Sequence, residues 1–152
     1  MTELAPDFDE FFGSLIASGV EFLVVGAYAL AFHGAPRFTG DIDVFVNPTL
    51  ENAECLRAAL EAFGFPAAGL RAADLVDPRR ILQMGIEPVQ IHVMSDISGV
   101  TWTEAWDGRE TGRCGSHELP FIGRREFVRN KQASGRLKDL ADIEALGGES
   151  GS

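Results

Sequence analysis

The chain has 152 residues, 45% of them hydrophobic and 24% charged, which is typical of a globular domain long enough to bury a core. Its net charge of −10 argues against a broad nucleic-acid surface, since such surfaces neutralise phosphates with lysine and arginine. No apolar run approaches the roughly 20 residues that span a bilayer, and no basic-then-apolar leader opens the sequence, so we expect a cytoplasmic protein.

The first half of the chain alternates between helical and strand periodicity. Apolar residues recur at helical spacing in the first segment, and β-branched or aromatic residues dominate the short segments that follow. The predicted elements are a helix over Asp7–Ser18, a strand over Glu21–Val25, a helix over Gly26–His33, a strand over Asp41–Val46 and a helix over Leu50–Phe63.

The second half predicts shorter elements and a closing pair of helices. We expect a short helix at Ala72–Leu75, strands Arg80–Met84 and Val89–Met94 joined by a turn at Gly85–Pro88, a short helix between Gly99 and Trp106, a strand at Glu118–Ile122, and helices Arg125–Ala133 and Arg136–Leu146. Residues 1–146 are predicted to form one domain, and residues 147–152 a flexible tail.

Two aspartates stand out because they lie in a strand. Aspartate is depleted in strands, yet Asp41 and Asp43 alternate with Ile42 and Val44. A spacing of two residues puts both carboxylates on one face, roughly 6–7 Å apart along the strand. Such a pair suits one or two hard divalent cations, which prefer oxygen ligands.

The charges are segregated along the chain. Residues 1–62 hold ten acids and two bases, whereas residues 124–138 hold six bases and one acid. An acidic, metal-binding half opposite a basic patch suits a metal-bound polyanion such as a nucleoside triphosphate. A solvated helix surface is the alternative explanation of the basic run.

Three ordered blocks resemble the nucleotidyltransferase superfamily, and within it the small bacterial AbiE-type toxins of abortive infection. The first, GAYALAFHGAPRFTGDID, has the glycine turn, spacer and Asp-x-Asp of that superfamily. The others are PVQIHVMSDISGVTWTEAW, from Pro88 to Trp106, and NKQASGRLKDLADIEAL, from Asn130 to Leu146. The resemblance implies an α/β (α+β) nucleotidyltransferase fold, with a short, mixed and mostly antiparallel sheet, helices on one face and two C-terminal helices closing a cleft.

The resemblance also implies a reaction. An acceptor hydroxyl attacks the α-phosphate of a nucleoside triphosphate, and Mg²⁺, or Mn²⁺ as the alternative, is held by Asp41 and Asp43. The turn at Gly26 and Ala27 approaches the phosphates, although Ala27 stands where the family commonly has glycine or serine. The remaining residues expected near the nucleotide or its phosphates are Arg37, Thr39, Lys131, Arg136 and Lys138.

His92 departs from the family pattern. It stands four residues after Pro88, where the small bacterial members carry a third carboxylate. Three roles are open to it: a general base, a nitrogen ligand that shifts the metal preference from Mg²⁺ towards Mn²⁺ or Zn²⁺, or an inert replacement in a site that has lost catalysis.

The resemblance leaves the acceptor and the partner open. A tRNA end, a protein side chain and a small antibiotic are the acceptor classes that it suggests, and acidity weighs modestly against tRNA. A homodimer or a toxin–antitoxin partner could recognise the acceptor. The rival hypothesis is a catalytically decayed nucleotide- or partner-binding protein of the same fold.

Overall fold

The computed structural model describes residues 6–35, 40–65, 69–86 and 89–147, and these residues form seven helices and six strands. The helices are α1 (Pro6–Ala17), α2 (Gly26–Phe32), α3 (Leu50–Phe63), α4 (Ala72–Leu75), α5 (Trp102–Asp107), α6 (Arg124–Ser134) and α7 (Leu137–Ala145). The strands are β1 (Phe22–Val25), β2 (Asp41–Val46), β3 (Ile81–Ile86), β4 (Val89–Met94), β5 (Glu110–Cys114) and β6 (His117–Phe121).

The strands form one mixed sheet in the order β3-β4-β2-β1-β6-β5. The β3–β4, β1–β2 and β5–β6 pairs are antiparallel, whereas β2–β4 and β1–β6 are parallel. The register places Asp43 between Val25 of β1 and His92 of β4. The fold class is therefore confirmed: a mixed α/β fold with a short, mostly antiparallel sheet.

The two faces of the sheet differ in character because side chains alternate along each strand. On one face Phe22 stacks on Phe12 of α1, with ring centroids 5.9 Å apart, and α1 packs against α3. The other face carries Asp41, Asp43 and Phe45. Phe45 packs edge-on against Trp102, with ring centroids 5.2 Å apart, so α5 adds a helix on the face opposite α1.

Several predicted boundaries agree with the structure, and one strand was missed. The predicted bounds of α3, α4, β2 and β4 match, while β3 begins one residue later than predicted and extends two residues further. Strand β5 carries few apolar residues and only Cys114 is buried, so it has no strand periodicity. It forms through tertiary contacts: Phe32 lies against Gly112 and stacks on Phe121, with ring centroids 4.3 Å apart.

Some predictions fall outside the described residues. Glu87 and Pro88 of the predicted turn lie there, and so does the predicted tail apart from Gly147. The division into one domain and a tail stays a prediction. Within the described ranges, no helix combines the length and the apolar character needed to cross a membrane.

Candidate active site

A cleft of about 670 Å³ lies between the acidic face of the sheet and the C-terminal helices. The predicted site residues that line it are Gly26, Ala27, Asp41, Asp43, His92, Lys131, Arg136 and Lys138. Arg37 and Thr39 lie outside the described residues. The structure thus gathers into one cleft every predicted site residue that it describes.

The two aspartates are half-buried on β2, and the parallel pairing of β2 with β4 sets their neighbours. Asp41 lies opposite Gln90, and Asp43 opposite His92. Oδ1 of Asp43 is 2.8 Å from Nδ1 of His92. An ionised carboxylate only accepts hydrogen bonds, so Nδ1 carries a proton and donates a hydrogen bond to Asp43. Nε2 of His92 lies 3.1 Å from Oε1 of Gln90.

Gly26 joins β1 to α2 directly and lies against Asp43. Its φ of +69° is in the left-handed region that favours glycine. A Cβ at this position would lie far inside van der Waals contact of Oδ2 of Asp43 and 3.1 Å from the Asp43 Cβ. Glycine is therefore required both by the backbone conformation and by the space that the carboxylate occupies.

Lys131 holds α6 to α7 through a buried ion-pair cluster. Its Nζ lies 3.3 Å from Oδ1 of Asp139 and 3.5 Å from Oδ2 of Asp142, and only 10% of its side chain is exposed. The predicted contact between Lys131 and the nucleotide stays a prediction, and the structure gives this ammonium two acidic partners.

Asp139 is the fully buried acid of this cluster. Burial favours its neutral form and works to raise its pKa, but hydrogen bonds from Arg136 and the nearby charge of Lys131 outweigh burial. The pKa of Asp139 is therefore held below its usual range. Nε of Arg136 donates to Oδ2 of Asp139 at 2.8 Å, and that bond also raises the pKa of Arg136.

Two cationic side chains line the cleft on the side of the C-terminal helices: Arg136, just before α7, and Lys138, on α7. The Arg136 side chain is 63% exposed although its guanidinium bonds to Asp139. Lys138 is exposed, and within the described ranges it forms no ion pair. The cleft therefore has an acidic wall on the sheet and a basic wall on α7.

Sequence reasoning missed the residues that complete the rim. Asn130 of α6 donates through Nδ2 to the Ser98 carbonyl at 2.9 Å, and Gly99 packs closely against Ala133. These contacts fix the loop after β4, with Asp96 in the cleft lining, to α6. No local sequence pattern predicts these contacts, because they join segments about 30 residues apart. Gln90 could have been found, since it shares a strand face with His92.

The acidic pair fits a magnesium ion that arrives with a phosphate ligand. Among residues 6–35, 40–65, 69–86 and 89–147, no group of three or more His, Cys, Asp or Glu side chains is placed to hold a metal. Mg²⁺ commonly binds through one or two carboxylates and completes its shell with water and substrate phosphates. Asp41 and Asp43 supply that number of carboxylates at the cleft.

Comparison with known proteins identifies the fold. No protein-family model matches the chain, and no curated protein matches it in sequence. A crystal structure described as a "putative nucleotidyltransferase" from Thermotoga maritima is similar over 92% of this chain and 88% of its own, with a TM-score of 0.56 and 15% identity. The lincomycin-bound lincosamide antibiotic adenylyltransferase LnuA is similar over 97% of this chain and 98% of its own, with a TM-score of 0.57 and 10% identity. The chain therefore has the fold of these nucleotidyltransferases.

We predict that Gly26→Ala destabilises the protein more than Gly19→Ala does. Gly19 has a nearly identical φ of +72° but no atom within 4 Å of an added Cβ, whereas Gly26 has φ +69° and faces Asp43. The left-handed backbone alone costs about 1–3 kcal/mol in each variant. Urea unfolding measures the difference, and equal losses of stability would show that Asp43 does not occupy the space beside Gly26.

We predict that Asp139→Asn lowers the free energy of unfolding at pH 7 by about 2–4 kcal/mol, because it leaves Lys131 and Arg136 without their buried partner. The pKa of Asp139 is lowered in the folded state, so its contribution is present above the unfolded pKa of about 3.9 and is lost as the pH falls below it. The difference in free energy of unfolding between wild type and Asp139→Asn, measured in urea, should therefore be smaller at pH 3.5 than at pH 5.5. Glu144→Gln, an exposed change on the same helix, is the control, and a gap that stays constant would contradict the assignment.

Proposed function

We propose that this protein is a nucleotidyltransferase that moves a nucleoside monophosphate from a nucleoside triphosphate to an acceptor hydroxyl. The observation that carries the proposal is the pair Asp41 and Asp43 on one strand face, opposite Arg136 and Lys138 across the cleft. The fold of the chain is consistent with this activity, and the sequence blocks around the cleft residues resemble the same superfamily.

The charge arrangement requires a cation before a triphosphate can enter. Two carboxylates and a polyphosphate repel each other, and the repulsion grows as water is excluded from the cleft. Mg²⁺, or Mn²⁺ as the alternative, supplies the neutralising charge when bound and polarises the phosphoryl oxygens. Asp41 and Asp43 hold it, and Lys138 and Arg136 bind the phosphate oxygens from the other wall.

The reaction is an in-line displacement at the α-phosphorus. The acceptor oxygen forms a new bond to the α-phosphorus, the bond to pyrophosphate breaks, and the hydroxyl proton is released to solvent. The protein contributes mainly position and charge, as in other phosphoryl transfers. The ion pairs of Lys131 serve this purpose indirectly, since they fix the helix that carries Lys138.

We propose the class of acceptor from the net charge of the chain and from the proteins that it resembles. A net charge of −10 disfavours a tRNA acceptor and favours a small hydroxyl compound or a protein side chain. The likeness to LnuA, whose structure contains lincomycin, adds an antibiotic to the small compounds worth testing. From the resemblance to AbiE-type proteins we further propose a cytoplasmic role in phage defence or a toxin–antitoxin pair, with a partner chain or a second copy at the acceptor side.

One observation favours a second candidate function, a nucleotide- or partner-binding protein without turnover. His92 stands where the resemblance to AbiE-type proteins implies a third carboxylate, and its Nδ1 already donates to Oδ1 of Asp43. An intact acidic pair weighs against this candidate, because two carboxylates on one strand face at the cleft are the oxygen ligands that a divalent cation prefers.

Thermal melting tests the proposal. We expect ATP, GTP, CTP or UTP together with Mg²⁺ or Mn²⁺ to raise the melting temperature by about 5–10 °C at a hundredfold excess over Kd. The double variant Asp41→Asn with Asp43→Asn should lose the shift. Glu110→Gln with Glu118→Gln, which neutralises two exposed acids on β5 and β6, should keep it.

The outcome also separates a metal-dependent nucleotide site from a protein that binds only a partner. Stabilisation that requires both metal and nucleotide supports the transferase. Stabilisation by a protein partner alone, or by nucleotide in the double variant as strongly as in wild type, would contradict it.

A further inference from the structure

We propose that His92 is a positioning residue for Asp43, and neither a metal ligand nor a general base. It holds the carboxylate through Nδ1–H, while Gln90 contacts the other ring nitrogen and Gln83 bonds to Gln90. The inference rests on the proposed function in one respect: the carboxylate that His92 orients is taken to bind the metal.

The supporting contacts form a chain across three strands. Gln83 of β3 and Asp43 of β2 both lie in register with His92 of β4. Nδ1 of His92 donates to Oδ1 of Asp43 at 2.8 Å, and Nε2 lies 3.1 Å from Oε1 of Gln90. The same Gln90 oxygen accepts a hydrogen bond from Nε2 of Gln83 at 2.9 Å. Both ring nitrogens therefore have partners, which fixes the ring plane and its rotation.

Asp43 is restrained on two sides as a result. His92 binds Oδ1, and Gly26 lies directly against Oδ2, leaving no room for a side chain there. The carboxylate cannot turn towards α2 or away from β4 without losing one of these contacts. Fixed carboxylate orientation matters for a metal site, because groups that hydrogen-bond to a ligating side chain typically change metal affinity or activity 10–100-fold when removed.

The geometry disfavours the other two active roles. A general base or a nitrogen ligand needs a ring nitrogen whose lone pair points at the substrate or the metal. Nδ1 donates to Asp43, and Nε2 faces the side chain of Gln90 on its own strand. An inert replacement of a carboxylate would not require the chain of contacts that links Gln83, Gln90, His92 and Asp43.

The test compares two substitutions at one position. His92→Asn keeps a donor, because the Asn Nδ2 takes the place of the imidazole Nδ1, whereas His92→Leu removes it. The measurement is the Kd of Mn²⁺ alone, from the electron paramagnetic resonance signal of the free ion. We expect His92→Asn to stay within about threefold of wild type and His92→Leu to weaken binding about 10–100-fold.

The matched control is His117→Leu. His117 also lies on a strand and is hydrogen-bonded through Nε2, and its side chain is 25% exposed against 22% for His92, but it lies outside the cleft lining. Its Mn²⁺ affinity should equal that of wild type. A second measurement keeps the test valid if His92→Leu does not fold: ¹⁵N spectra of the metal-free wild type should show a protonated Nδ1 on His92, and Asp43→Ala should remove its hydrogen-bond shift.

Three results would overturn the proposal while the proposed function stands. Equal Mn²⁺ affinity in wild type, His92→Asn and His92→Leu would make His92 irrelevant to Asp43. Equal loss in both variants would make the ring itself a metal ligand. Unchanged Mn²⁺ affinity with loss of turnover in both variants would identify a general base. A wild type that binds Mn²⁺ neither alone in this assay nor together with a nucleotide in the melting test overturns both proposals together.

Discussion

The contact between the Asp43 carboxylate, Gly26 and His92 is the constraint on which the cleft depends. It joins three neighbouring interior strands of the sheet, since Gly26 follows β1, Asp43 lies on β2 and His92 on β4. A carboxylate half-buried on a central strand loses hydration, which is unfavourable unless donors or a cation replace the water. The glycine supplies space and the histidine supplies a donor, so the Asp43 carboxylate is held in place beside Asp41 in the lining of the cleft.

The opposite wall depends on a second electrostatic constraint. Lys131 lies between Asp139 and Asp142, and Arg136 bonds to Asp139, so the joint between α6 and α7 is built from buried charges. Such a cluster is costly to break by removing a single member, because the partner then stays buried without compensation. This joint places Lys138 and Arg136 at the cleft, where their positive charge complements the aspartates.

The acidic strand was predictable from the sequence because its signal is local. Alternation of Asp41 and Asp43 with β-branched residues defines both the strand and the face, and the structure confirms the strand bounds. The helix α3 was predictable for the same reason, since its apolar residues repeat at helical spacing and Gly64 ends it. The mixed sheet and the closing helices followed from family resemblance combined with these patterns.

The features that the sequence did not predict depend on contacts between distant segments, and no local pattern in a single sequence encodes such contacts. Strand β5 owes its conformation to Phe32 and to pairing with β6. In the sequence, Lys131 is one base of a basic run, which predicts an exposed side chain. Only the packing of α7 shows that it has two acidic partners. The hydrogen bond between His92 and Asp43 joins residues 49 positions apart, so the sequence left the role of His92 open among three alternatives.

Nucleotidyl transfer differs from other uses of a triphosphate in the phosphorus that the acceptor receives. Incubation of the purified protein and Mg²⁺ with a lysate of its host cells, in parallel with α-labelled and γ-labelled nucleoside triphosphates, distinguishes these uses directly. We predict that an acceptor becomes labelled from the α-position only, that the γ-label appears in pyrophosphate, and that Asp41→Asn with Asp43→Asn abolishes both. Labelling of an acceptor from the γ-position, or α-labelling that persists in the double variant, would contradict a nucleotidyltransferase that works through these two aspartates.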